Sequence, residues 1–381
     1  MGFQPLDEPP ENAPDICGQG CSREGRTASA TLPDGLNDLL LSDDHVPAPR
    51  TVAVIVNYNG GGLLARSVDG VRRQRTPFDR IIVVDNASTD ASAEGLPEDV
   101  EVIRPGANLG FAAGNNLGVA FAPECDWIAL INPDAFLAED WLERMHDGAA
   151  QTGAAALGCQ LLDDLHPDLL DGAGDAVHTS GLAWRVLHGS PRELGPQAVC
   201  DIFSPCAAAA LYRRSTFDEV GGFEERFFCY FEDIDLAYRL RLAGYHCAYV
   251  PAAVARHVGS ASSGRESDFT IYHSHRNLVW TYVRDSPSPL RHLPQHIVMS
   301  FFTIVWFSGR GQTGPILRAK RDALRGLPWA LRERRRIQGS RRATVDEVRH
   351  QLVGGLGAYR TAWSRAWQIV RPRNRKGGKG T

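Results

Sequence analysis

The sequence predicts an α/β fold, a mostly parallel sheet with helices on both faces, continued by a C-terminal helical extension. Three observations predict it. Short β-branched runs recur from Thr51 onward, stretches of helical length alternate with them, and polar residues follow the ends of the runs. A chain of 381 residues is long enough for one large domain of this kind with extensions.

The elements follow in order. TVAVIVNYN, opening at Thr51, has the continuous apolar character of a buried parallel strand. A helix is expected over about 62–75, then the strand RIIVVDNAS, a short helix, a brief strand at EVIRP and a helix opening at Gly110. The strand DWIALINPDA precedes a helix near 139–152. In FFCYFEDIDLAYRLRLAGY, Glu232, Asp233 and Asp235 fall between aromatics and the start of a helix that Gly244 ends. Unpaired charge is costly to bury, so such a cluster is either solvated at the helix N-terminus or used for chemistry. Beyond it, IYHSHRNLVWTYVRD reads as a helix. LPQHIVMSFFTIVWF reads as another, interrupted by His296 and short of the roughly 20 apolar residues that span a bilayer. It either lies in a membrane interface or packs as a core helix.

Hydrophobic content of 43% and charged content of 23% are those of a globular protein. The net charge of -4 conceals an asymmetry: residues 310–381 hold 19 Lys and Arg against 4 Asp and Glu. That basic end fits either an anionic partner such as a membrane surface or a solvated helical face. It lacks interleaved base-stacking aromatics, and the rest of the chain is acidic, so nucleic acid is not expected as a partner. The eight cysteines, Cys17 and Cys21 among them, form no CxxC pair, which argues against a sulfur-ligated zinc and for reduced thiols in a cytoplasmic protein. The N-terminus shows no basic region followed by an apolar core, so no secretory signal is expected. The expected organisation is a disordered segment over 1–48, in which an apolar patch at 36–41 could dock, and a catalytic domain over 49–263. A helical extension over 264–345 and a basic helix and tail over 346–381 complete it.

Ligands of open α/β sheets bind at the carboxyl ends of the strands. Asn57, Tyr58 and Asn59 end the first strand, Asp85 ends the second and Asp134 follows the fourth. One Asp after a strand is more often a cap or turn former, but acids at successive strand ends argue for a site. NYNGGG does not match the dinucleotide fingerprint, and no phosphate-loop motif is present.

VIVNYNG, IIVVDNASTD, PGANLGFAAGNNLG, IALINPDA, residues 204–228, FEDIDLAYRLRLAGY and RHVGSAS occur in that order between residues 51 and 263. Together they resemble the family 2 inverting glycosyltransferases of GT-A fold, in the bacterial rhamnosyltransferase-like branch. The resemblance implies a Rossmann-like GT-A domain in which Asp85 contacts the nucleotide base and Val56, Asn57, Tyr58 and Asn59 line the same pocket. Asn108, Gly110 and Asn115 would lie beside the donor, with Gly110 letting backbone N–H groups approach a phosphate or sugar. Asn132 and Asp134 stand where the family carries its DxD motif, here reduced to NPD, and His257 resembles an additional ligand for Mg²⁺ or Mn²⁺. Asp233 resembles the catalytic base and Glu232 is its rival, while Asp235 and Arg239 are spaced as a structural pair. Arg276 and Asn277 would lie near the acceptor side. The implied donor is dTDP-rhamnose, with UDP-sugars such as UDP-galactofuranose open. The implied acceptor is a glycan or polyprenyl-diphosphate-linked hydroxyl in cell-wall or surface polysaccharide synthesis, met at the cytoplasmic face of a membrane. A non-catalytic sugar-nucleotide binder is the alternative, suggested only by NPD. A nucleotidyltransferase would not be expected to carry FEDIDL.

Overall fold

The computed structural model describes residues 49–259 and 267–355. The expectations for residues 1–48, for the end of RHVGSAS and for the basic tail beyond residue 355 lie outside them. The first half runs β1 (Thr51–Asn57), α1 (Gly62–Arg72), β2 (Arg80–Asp85), β3 (Val100–Ile103), α2 (Gly110–Ala120), β4 (Trp127–Ile131), β5 (Ala135–Leu137), α3 (Trp141–Thr152) and β6 (Ala156–Asp163). Then come β7 (Leu170–Gly172), β8 (Asp175–Val177), β9 (Ala183–Arg185), β10 (Cys200–Ile202), β11 (Ala209–Arg213), α4 (Arg214–Glu219), α5 (Glu232–Leu242) and β12 (Cys247–His257). Five helices follow: α6 (Asp268–Asp285), α7 (Pro289–Ser308), α8 (Thr313–Arg325), α9 (Leu327–Gly339) and α10 (Val345–His350).

The main sheet has the order β3-β2-β1-β4-β11-β6-β12-β10. β3, β2, β1 and β4 are parallel, β11 runs against both its neighbours, and β12 resumes the parallel direction beside β6. Every residue of β1 is buried because both faces of the sheet are covered. Alternate residues enter different cores: Val52, Val54 and Val56 pack on the α2 and α5 side, Ala53 and Ile55 on the α1 and α3 side.

Three local expectations are corrected. Helix α1 stops at Arg72, short of 75, because Gln74 turns its amide to the Gly70 and Ala138 carbonyls and accepts from the Leu142 N–H. That same tie sets the start of α3 at Trp141 rather than near 139. No short helix forms between β2 and β3. There Ser88 and Ser92 accept from Asn57, and Asp90 accepts from the Gly61 and Ser92 N–H groups, so side chains compete with a helical backbone.

The helical extension is joined to the sheet domain by buried charge. Asp235 on α5 meets Arg239 at 2.5 Å, as the spacing predicts, and also Arg284 of α6 at 2.8 Å. Both guanidinium groups and the carboxylate are shielded from water.

Candidate functional site

The carboxyl ends of β1 and β2 meet through Asn57. Its Nδ2 donates to Asp85 Oδ1 at 3.3 Å and to the hydroxyls of Ser88 and Ser92 at 3.0 and 2.9 Å. Asn57 is fully buried, so it orients Asp85 from below. Arg104, which sequence reasoning passed over, stands 3.8 Å from the other Asp85 oxygen. Asn59 accepts from the Thr89 and Asp90 N–H groups and fixes the loop rim. Tyr58 is exposed beside it. Val56 is different: its side chain lies under α2, where a Cβ on Gly114 would come within 2.9 Å of it. Its side chain belongs to the core.

The start of α2 is engaged within the chain. The Gly110 N–H is taken by Asn108 Oδ1 at 2.9 Å, and the N–H groups of Phe111 and Ala112 go to the Phe228 carbonyl at 2.6 and 3.2 Å. Gly110 has φ +81, and a Cβ there would fall 2.5 Å from the Phe228 oxygen. The close approach that this glycine permits is therefore to the chain's own aromatic loop, and these amides are hydrogen-bonded within the chain. Asn108 is held by Asn86 at 2.9 Å. Asn115 is buried and donates to the Phe111 carbonyl within its own helix, so it too serves the fold.

β5 pairs antiparallel with the end of β12, which sets Ala135 opposite His257 and so brings Asp134 beside the imidazole. His257 Nε2 is 3.3 Å from Asp134 Oδ1, and its Nδ1 is 2.8 Å from Asp171 Oδ2. Asp171 lies on β7, at the end of β6, and sequence reasoning missed it because DGAGD carries no chemical motif by itself. Arg185 reaches Asp171 at 2.5 Å across Gly172, where any Cβ would strike the arginine stem. Burial alone would lower the His257 pKa; the two carboxylates outweigh it and hold the value at about 9. Burial would raise that of Asp171, but Arg185, His188 and His257 together hold it well below the carboxylate range. Asn132, two residues before Asp134, has a buried Oδ1 with no hydrogen-bond partner among the described residues. A carboxylate, an imidazole nitrogen and an amide oxygen suit a hard or borderline divalent cation.

Asp233 opens the next cluster. β8 and β9 set Asp175 opposite Arg185, and ligand atoms of Asp175, Cys206 and Asp233 lie within 4.8 Å of one another. Burial and the Asp233 charge push the Asp175 carboxyl well up, and burial raises Asp233 against the opposing Ile234 N–H and Arg185. Burial also pushes the Cys206 thiol up. Arg185 thus links the His257 group to a carboxylate pair. Glu232 is more enclosed: its Oε2 is buried without a hydrogen-bond partner among the described residues, and burial with the Asp233 charge raises its pKa well above normal.

The loop before α5 carries positive φ at Phe228, Tyr230 and Phe231. Asn277 Nδ2 donates to the carbonyls of Phe227, Cys229 and Tyr230, and Arg276 Nη2 to those of Arg226 and Phe227. These two α6 residues, expected near an acceptor, hold the loop that presents Glu232 and Asp233.

The profile of the family described as "Glycosyl transferase family 2" matches residues 52–221. The N-acetylglucosaminyl-diphospho-decaprenol L-rhamnosyltransferase of Mycobacterium tuberculosis (strain ATCC 25618 / H37Rv) is 28% identical over 262 residues, covering 60% of this chain and 82% of that protein. The O-antigen chain rhamnosyltransferase RfbN of Salmonella typhimurium is 29% identical over 217 residues, covering 55% of this chain and 66% of its own. Among solved structures, GalNAc-T7 with UDP, GalNAc and Mn²⁺ superposes with a TM-score of 0.51 at 17% identity, over 62% of this chain and 48% of that one. That likeness supports the GT-A-like arrangement of the sheet.

Proposed function

We propose, from the match of residues 52–221 to the family 2 glycosyltransferase profile, that the chain is an inverting, metal-dependent transferase of L-rhamnose from dTDP-rhamnose. Its acceptor is a hydroxyl of a glycan or polyprenyl-diphosphate-linked saccharide in cell-wall or polysaccharide synthesis. The observation that carries this reading is the approach of Asp134 to His257 at 3.3 Å, with Asp171, the other partner of His257, bound by Arg185, whose charge also acts on Asp233. The relatives named above, rhamnosyltransferases by name, support the choice of sugar.

Asp85 receives the nucleotide base, steadied by Asn57, with Tyr58 and Asn59 at the rim. Asp134 and His257, with the Asn132 amide oxygen, would hold Mg²⁺ or Mn²⁺. Asp171 orients His257 by accepting its Nδ1 proton in a hydrogen bond, which leaves Nε2 for the cation. A cation held there would supply positive charge beside the diphosphate leaving group. Asp233 takes the acceptor proton as that oxygen attacks the anomeric carbon, and the bond from carbon to the nucleoside diphosphate breaks on the opposite face. A raised carboxyl pKa suits this task, since a base nearer neutrality accepts the proton more readily. Glu232, more enclosed, supports the charge balance of the pair. The enzyme works at the cytoplasmic face of a membrane.

Calorimetric titration of the full chain with dTDP-rhamnose and a panel of UDP- and GDP-sugars, with and without Mn²⁺, tests the proposal. Metal-dependent binding of dTDP-rhamnose is the expected result. Metal-dependent binding of a UDP-sugar instead would reassign the donor, and binding of none would overturn the transferase reading.

A further inference from the structure

Helix α7 buries one edge, His296, Met299 and Thr303, and His296 stacks on Tyr282 of α6 with 4.0 Å between ring centroids. Away from that edge it exposes Leu290, Leu293, Ile297, Val298, Phe301, Phe302 and Val305. These recur at helical spacing, so they form one stripe along the helix. Phe301 is 62% exposed and Phe302 53%, an arrangement that water penalises and that marks an interaction surface.

The charges around the stripe identify its occupant. No Asp, Glu, Lys or Arg lies between Arg291 and Arg310, which stand at its two ends. Arg310 lies over the Trp306 ring at 3.7 Å. α8, packed beside α7, exposes Leu317 and Leu324 together with Arg318, Arg321 and Arg325. Residues 289–355 hold 13 Lys and Arg against 4 Asp and Glu. A second copy docked through this face would set like charges opposite one another. Residues 356–381 carry seven Lys and Arg and no acid, so they match the stripe equally poorly. Among the described residues no helix is long and apolar enough to cross a membrane.

We propose that the α7 stripe and the arginines of α8 form a docking surface for an anionic phospholipid bilayer, with α7 lying in the plane of the interface. Apolar side chains enter the boundary between headgroups and acyl chains, and the arginines meet lipid phosphates. This extends the reading above, since a polyprenyl-linked acceptor lives in a bilayer, but its test is read on lipid binding and not on transfer.

The full chain is sedimented with vesicles of phosphatidylcholine alone and of phosphatidylcholine mixed with phosphatidylglycerol. Binding to the mixed vesicles, weakened by salt, is expected. The double variant Phe301→Ser with Phe302→Ser should lose about tenfold or more of that binding. Its circular dichroism and nucleotide binding should be unchanged, because both rings are exposed. Arg318→Gln with Arg321→Gln should weaken binding to the anionic vesicles alone. No binding by the parent chain overturns the proposal, as does equal binding by the phenylalanine variant, which would assign lipid contact to the basic end. A dimer in sedimentation equilibrium that the phenylalanine variant dissociates, with vesicle binding unchanged, overturns it in favour of a second copy.

Discussion

The side-chain amide of Asn277 stands 2.7 Å from the Tyr230 carbonyl oxygen, and Tyr230 itself has φ +69. A helix outside the matched family segment thus holds a strained turn beside the carboxylates of α5. Positive φ at a non-glycine residue costs about 1–3 kcal/mol and persists only where its surroundings enforce it. Phe228 and Phe231 carry the same strain.

Asn277→Ala removes one donor shared by three carbonyls. We expect a stability loss of about 1–3 kcal/mol in urea unfolding. Turnover should fall further than nucleotide affinity does, because the loop presents Asp233 and not Asp85. Equal losses in both would mean that the loop shapes the donor pocket as well.

Asp171→Asn should lower Mn²⁺ affinity by about 10–100-fold, the effect usual for an outer partner of a ligating histidine. Electron paramagnetic resonance of free Mn²⁺ measures it directly. Nucleotide binding without metal should not change. An unaltered metal affinity would remove Asp171 from the site.

Asp233→Asn should reduce turnover by about 10²–10⁴-fold while leaving donor binding near the parent value. Glu232→Gln should cost less, since that side chain is already enclosed and its carboxyl is pushed well up by burial and by Asp233. If Glu232→Gln proves the more severe in single-turnover assays, the two carboxylates exchange roles.

Acid should destabilise the protein through two histidines. Burial, with Lys320 adding to it, holds His275 at about 3, and burial holds His296 at about 4 against its bond to the Ser180 carbonyl. Unfolded, both protonate near about 6.5. Between pH 6.5 and 4 the unfolded chain therefore binds more protons, so stability falls as pH falls, by about 1.4 kcal/mol per unit for each group. Urea midpoints at pH 7 and 4.5 should show this, and His275→Phe should flatten the slope. An unchanged slope in that variant would falsify the assignment.

The sheet was legible because its strands are buried on both faces and read as unbroken β-branched runs, as in Thr51–Asn57. Asp134 and His257 were legible through the motifs around them. Asp171, Asp175 and Arg185 were not, since each belongs to a three-residue strand too short to show a period, β7 pairing with β6 and β8 with β9 in a separate two-stranded sheet. The partner of Gly110 was hidden for a similar reason. A glycine opening a helix signals close approach, but only tertiary structure shows that the approaching group is the Phe228 carbonyl.

Asp235 draws its second guanidinium from α6, beyond the segment that matches the family. This limits how the protein could be recombined. A chimera joining residues 49–259 to helices from elsewhere would carry a sealed carboxylate one cation short, a loss of the kind that costs about 3–5 kcal/mol. Swapping whole C-terminal halves would therefore fail unless the new half brought its own arginine at the place of Arg284. The workable seams are surface loops that leave the α5 and α6 pair together.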